Sequence, residues 1–334
     1  MSLSSKQLDD VQQAVLNVTN ARKITGVDIL QSLWSGYGVI IRFNLSDAAY
    51  ASVIVKHIQL DRTTPHPRGW DTDHSHQRKL RSYAIEETWY RSWAVRCDYY
   101  CQVAECIALI EGEGCITLVL EDLDNAGFPA RKSSLSLPEA QVCLKWLANF
   151  HALYLGDSPV GLWPIGTYWH LDTRPDEWSA MADSNLKRAA QAIDKQLNDC
   201  RFQTIVHGDA KVANFCFSID GQAVAAVDFQ YVGSGCGMKD VAYFLGSCFT
   251  ERECAEWEPQ LLNDYFAEFH QALKRQHKPI DGCQLEAEWR RLYPFAWADF
   301  DRFLLGWMPT HRKLNAHSRE KVDIVLSTLS QKKV

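Results

Sequence analysis

No apolar run in the 334-residue sequence approaches the roughly 20 residues that a membrane-spanning helix needs. The opening stretch, MSLSSKQLDDVQQAVLNV, lacks the basic-then-apolar order of a secretion signal. It reads as a capped amphipathic helix carrying Val11, Val15, Leu16 and Val18. Basic residues form no stripe, and the net charge is −6, which argues against a nucleic-acid or anionic-membrane surface. Repeats and low-complexity tracts are missing as well. With 46% hydrophobic and 23% charged residues, the whole chain is expected to fold. Paired CxxC spacing is absent from the closest cysteine cluster, Cys97, Cys101 and Cys106. The eleven cysteines are therefore read as reduced thiols of a cytoplasmic protein. These absences leave a small molecule as the expected partner, with no nucleic acid, no membrane and no obligate protein partner.

What is present is organised in two halves. Three β-rich runs lie between Val27 and Ile58, namely VDILQSLW, GVIIRFNL and YASVIVKHI. A Pro- and Gly-containing loop, PHPRGWDTDHSHQ, leads into a helix over RKLRSYAIEETWYRSW. Two further strands, QVAECIALI and CITLVLEDL, are expected to turn at Glu111-Gly112-Glu113-Gly114, with both glycines at positive φ. Beyond Asp124 long amphipathic helices take over, beginning with LPEAQVCLKWLANFHALYLG. One β-rich interval, FQTIVHGDAKVANFCFSIDGQAVAAVDFQ, interrupts them with a hairpin turn near Ile219-Asp220-Gly221. Strands first and helices later give an α+β class with a cleft between the halves, the expected ligand site. The expected boundary separates residues 1–123 from residues 124–334.

The sharpest local pattern is His207-Gly208-Asp209-Ala210-Lys211-Val212-Ala213-Asn214, followed one hairpin later by Asp228-Phe229-Gln230. Phosphoryl transfer needs a metal to neutralise phosphate charge, hard oxygen ligands for that metal, and a carboxylate to orient the attacking hydroxyl. Asp209 suits the last role, and Asn214 and Asp228 suit magnesium. A turn or cap role for Asp209 is the alternative, weakened by the presence of the other two.

This H-G-D-x-x-x-x-N pattern, followed by a strand and D-F, resembles the aminoglycoside phosphotransferase and choline kinase-like superfamily, whose fold is similar to that of protein kinases. GWDTDHSHQRKLRSY, the Glu86-to-Tyr90 segment and VHGDAKVANFCF resemble its ecdysteroid kinase-like branch, over about Leu33 to Gly246. The resemblance implies a two-lobed kinase-like fold: a nucleotide-binding lobe with a five-stranded antiparallel sheet and one helix, and a mainly helical lobe. It also implies an ATP- and Mg2+-dependent small-molecule kinase. Lys56 then matches the lysine that steadies the nucleotide phosphates, and Glu86 its ion-pair partner, with Glu87 as fallback. Lys211 resembles a catalytic-loop lysine near the transferred phosphate, His207 an orienting residue rather than a base, and Asp240 a brace at a helix start. Gly36 and Gly38, in Ser35-Gly36-Tyr37-Gly38, sit where kinases cover the phosphates, although an ordinary turn fits equally. Glu121 and Leu123 sit where a hinge would offer backbone groups to adenine. Solvent-facing roles are the alternatives for Lys56, Glu86 and Lys211.

No motif in the helical half names the acceptor. Trp163, Tyr168, Trp169 and Trp178 lie where a substrate could contact them, or they fill the core as Trp146, Trp289 and Trp297 are expected to. A small apolar alcohol, steroid- or terpenoid-like, is the leading acceptor. A choline, ethanolamine or aminoglycoside type of kinase is the second reading, supported by acidic residues near Trp297 and Asp299. A non-catalytic nucleotide-binding regulator is the third, opposed by the intact Lys56, Asp209, Asn214 and Asp228. His66, His74 and His76 with Asp71 and Asp73 form a polar loop more readily than a metal site.

Overall fold

Alternation builds the sheet, as a computed structural model covering residues 3–33, 36–60 and 73–331 shows. In one strand, Gly38–Ser46, the side chains of Val39, Ile41, Phe43 and Leu45 are buried on one face, while Ile40 and Arg42 take the other. In chain order the strands of this sheet are β1 (Lys23–Ser32), β2 (Gly38–Ser46), β3 (Ser52–Gln59), β4 (Cys106–Gly112) and β5 (Cys115–Glu121). They form a five-stranded antiparallel sheet in the order β1-β2-β3-β5-β4. Of the two glycines expected at positive φ in the β4–β5 turn, only Gly114 adopts it, at 67°.

Helices cover both faces. The first, α1 (Ser5–Thr19), starts at a capping box between Ser4 and Gln7 and ends at Asn20 with φ 52°. Val11 and Val15 press into the cluster of Val39, Ile41, Phe43, Val53, Val55 and Val119, each worth roughly 1.5–3 kcal/mol when fully buried. On the opposite face, α2 (Asp73–Thr88) sets Tyr83 against Ile58 and Ile116. It begins at Asp73 rather than Arg78 and passes into a π-helical turn, Trp89–Trp93, that buries Trp89, Tyr90 and Trp93.

The helical half consists of α3 (Leu137–Leu153), α4 (Pro175–Ala180), α5 (Asn185–Asn198), α6 (Met238–Cys248), α7 (Glu251–Arg275), α8 (Gly282–Trp307) and α9 (Ala316–Gln331). Within it, β6 (Thr204–Val206) pairs with β9 (Gly233–Gly235), and β7 (Phe215–Phe217) with β8 (Val224–Ala226). The β7–β8 hairpin turns where expected. The β6–β9 pair was not anticipated, because Gly233-Ser234-Gly235 lacks the side chains that announce a strand. Among the described residues no helix is long and apolar enough to cross a membrane, and no three or more of His, Cys, Asp and Glu gather as a metal-binding group. His66 and Asp71 lie outside the described residues, whereas His76 meets the Tyr37 hydroxyl through Nδ1 at 2.5 Å.

Candidate active site

Lys56 lies on the face of β3 turned toward α2, and Lys79, Ser82 and Glu86 share one face of that helix at spacings of three and four. The two elements deliver a buried ion pair, with Lys56 Nζ 2.6 and 2.9 Å from the Glu86 carboxylate oxygens. Asp228 Oδ1 lies 3.7 Å from the same ammonium. Burial alone would discharge Lys56, but Glu86 and Asp228 outweigh it and raise its pKa. Glu87 instead pairs with Arg91 on the surface at 2.6 Å, so the geometry selects Glu86.

The loop from His207 to Asn214 hangs on Asp240, in the first turn of α6. Asp240 accepts the backbone N–H of His207 at 2.6 Å and of Gly208 at 2.9 Å, and also meets His151 Nε2 at 3.1 Å. Gly208 takes φ 79°, and a Cβ there would fall 2.1 Å from the Tyr231 carbonyl oxygen, so no other residue fits. His207 donates from Nε2 to the Val227 carbonyl at 3.1 Å and accepts the Asp209 N–H through Nδ1 at 3.2 Å. Burial lowers its pKa, consistent with a neutral ring that shapes the loop.

Asp209 is the meeting point. Its carboxylate accepts from Lys211 Nζ at 2.7 Å, Tyr243 Oη at 3.0 Å and Asn214 Nδ2 at 3.2 Å. Burial, reinforced by Asp228, pushes its carboxyl up, with Lys211 opposing. For Asp228, burial pushes upward too, yet Lys56, Lys211 and Lys79 outweigh it and hold the group below the usual carboxylate range. Asp228 sits at φ 70°, a left-handed conformation costing a non-glycine residue about 1–2 kcal/mol. Its neighbour Phe229 stacks on Trp89 at 4.4 Å and packs against His207 at 4.7 Å, which locks the segment both to the π-helical turn after α2 and to the loop.

Three contributors escaped the sequence reading. Gln230 donates to Asp228 Oδ1 at 2.8 Å while accepting from Lys79 Nζ at 2.8 Å and Ser82 Oγ at 3.2 Å, tying α2 to Asp228. Tyr243 reaches Asp209 from α6, three residues after Asp240. Lys313, beyond α8, holds its ammonium 4.5 Å from the Tyr243 ring centroid. Helical spacing from Asp240 would have signalled Tyr243; nothing in the sequence signals the other two.

The remaining expected positions are placed as follows. Gly36 has φ 72°, and Ser35 lies outside the described residues. Gly38 begins β2, where a Cβ would lie 1.9 Å from the His57 carbonyl oxygen, so strand packing alone requires a glycine there. Leu123 is buried and its carbonyl accepts from the Phe128 N–H at 2.8 Å; Glu121 ends β5 and accepts the Glu105 N–H at 3.3 Å. Between them, Asp122 binds Arg42 at 2.7 Å. Trp163 and Trp169 are buried, as are Trp146, Trp289 and Trp297, while Tyr168 and Trp178 keep partial exposure. Asp299, 1% exposed, is consumed by Arg302 at 2.6 Å and the Trp169 indole at 3.0 Å.

A five-stranded sheet with one crossing helix, followed by a helical half that carries this loop, defines the protein-kinase-like fold of small-molecule phosphotransferases. Solved structures of that class superpose on the chain. A choline kinase from Cryptosporidium parvum Iowa II gives a TM-score of 0.54 at 10% identity, covering 98% of this chain and 95% of its own. A microcompartment-associated aminopropanol kinase gives 0.53 at 17%, covering 96% and 93%. An aminoglycoside phosphotransferase from Streptomyces rimosus, in complex with ADP and streptomycin, gives 0.51 at 13%, covering 87% and 99%. No curated protein matches the chain in sequence. The ecdysteroid kinase-like family model matches residues 168–278, the stretch holding Asp209, Asn214, Asp228, Asp240 and Tyr243. With the fold, that match supports the resemblance to the aminoglycoside phosphotransferase and choline kinase-like superfamily and to its ecdysteroid kinase-like branch.

Proposed function

We propose that the chain transfers the γ-phosphoryl group of ATP, with magnesium, to the hydroxyl of a small apolar alcohol. The observation that carries this reading is the convergence of Lys56, Asp209, Asn214 and Asp228 from three separate elements. Residues 1–123 would form the nucleotide lobe and residues 124–334 the lobe with the catalytic loop and acceptor site.

The donor set suits magnesium. Asp228 is held ionised, and Asn214 spends its Nδ2 on Asp209, leaving Oδ1 as its acceptor end. Bound there, the metal would neutralise phosphate charge. Lys56, fixed by Glu86, is set to meet the nucleotide phosphates. Asp209 orients the acceptor hydroxyl and takes its proton, and its raised pKa matches that task. Lys211, paired with Asp209 in the free protein, is within reach of charge building on the transferred group. His207 and Asp240 position the loop and touch neither reactant.

The test is magnesium-dependent ADP release against a panel of sterols, terpenoid alcohols, choline and aminoglycosides, in wild type and Asp209→Asn. Turnover with an apolar alcohol that is lost in the variant supports the proposal. A wild-type protein that binds no Mg-ATP ends it.

A further inference from the structure

Next to Asp209 the helical half presents a wall of aromatic rings. Trp169, Tyr243, Phe300, Phe303 and Leu304 form its buried cluster, with Tyr168 at the partly exposed edge. Tyr168 packs edge-on to Tyr243 at 5.6 Å and to Phe303 at 5.5 Å. Across this wall lies the half-buried Lys313, its ammonium 4.5 Å from the Tyr243 centroid and 5.2 Å from that of Phe300. One tyrosine ring spans the gap from Lys313 to Asp209, because Tyr243 Oη donates to Asp209 Oδ1 at 3.0 Å.

Several charges around the wall are paired. Asp299 is taken by Arg302 at 2.6 Å. Glu177 pairs with Arg174 at 2.9 Å, and that guanidinium lies 5.3 Å from the Phe303 ring centroid. Asp209 is held by Lys211 at 2.7 Å. Among the described residues no oxygen accepts a hydrogen bond from Lys313 Nζ, which has only the two rings. Burial drops its pKa to about 8 although Asp209 attracts it, the behaviour of a cation short of negative charge.

Two consequences follow for a ligand. An alkylammonium would compete with Lys313 for the same ring faces and would be repelled by it. An anion would relieve an under-compensated cation in a partly desolvated place, where charge-assisted hydrogen bonds are strong. We propose that Lys313 is a specificity-determining residue of the acceptor site, and that the acceptor is an apolar alcohol bearing an acidic group whose anion pairs with Lys313. This rests on the phosphotransferase reading above and names its substrate class.

The experiment titrates the full chain calorimetrically with hydroxylated steroid, terpenoid and long-chain acids, each beside its methyl ester, and with choline. Mg-ATP binding is measured in the same preparations. At least one acid should bind about tenfold tighter than its ester to wild type. That preference should vanish in Lys313→Met and survive in Lys313→Arg. Where turnover is measurable, Lys313→Met should raise KM for the acid about tenfold, with kcat held within about threefold. Equal binding of every acid and ester, an unchanged preference in Lys313→Met, tighter binding of choline, or no binding by any pair overturns the proposal. A wild type that binds Mg-ATP yet ignores acceptor charge sinks only the role of Lys313. One that binds no Mg-ATP sinks the phosphotransferase reading itself.

Discussion

On the sheet side of Asp209 the charges are interlocked. Lys56 meets Glu86 and Asp228, and Gln230 joins Asp228 to Lys79 and Ser82. On the α8 side the surface is aromatic, and the ammonium of Lys313 stands over two of its rings with, among the described residues, no oxygen accepting a hydrogen bond from it. On the proposed phosphotransferase reading, the contrast separates a general half of the site from a particular one. A network that already holds its cations in place suits a ligand of fixed polyanionic character. A wall whose charge is left open takes its complement from whatever ligand the protein has come to use.

The largest break in this comparison is expected from the shared residues. Asp209→Asn should lower turnover by about 10²–10⁴-fold while Mg-ATP still binds, as read by ADP release and calorimetry. Asp228→Ala should lose both, and full nucleotide binding in that variant would refute its assignment.

Next, Lys56→Met strands Glu86 in the interior and should cost about 3–5 kcal/mol in urea unfolding. Adding Glu86→Gln should restore much of that stability without restoring turnover, which separates folding from function at this pair.

A smaller effect sharpens the contrast within the helical half. Asp301 on α8 is buried, and burial raises its carboxyl to about 7, with Ser318, Arg319 and His317 opposing. Its folded pKa lies above the unfolded value, so its stabilising contribution is full at pH below about 4 and is lost as pH rises through about 7. Asp301→Asn should therefore stabilise the chain by on the order of 2 kcal/mol at pH 8 and hardly at all at pH 4, measured by thermal unfolding.

Least is expected from Phe229→Leu. Losing the stack on Trp89 should cost about 1–2 kcal/mol, with a modest fall in kcat/KM.

What the sequence disclosed tracks how local each feature is. His207 to Asn214 and Asp228 lie on one loop and the hairpin after it, so their spacing alone brings them together. Lys56 and Glu86 sit on elements whose alternation and periodicity are plain, and only the resemblance to kinases set them face to face. Lys79, Gln230 and Lys313 were illegible because their roles exist only in tertiary contact: a lysine on an amphipathic helix reads as a solvated charge until the opposing loop is known. The ammonium-type reading leaned on Asp299, whose i,i+3 spacing to Arg302 on α8 offered a pairing that was not used, and whose bond to the distant Trp169 indole no linear pattern could show. Strand β9 was missed for want of side chains, and the π-helical turn at Trp89–Trp93 because its residues also suit an ordinary helix.

The backbone at Gly208 carries a wider lesson about inheritance. Because the Tyr231 carbonyl and the Thr167 N–H crowd the space a methyl group would need, this position offers mutation no neutral neighbour. A library randomised there should return glycine alone. The segments around residues 167 and 231 are bound by the same constraint, since shifting either one would move Asp209 with it. Drift in this protein is thus barred from the loop and from the two segments that pack on it.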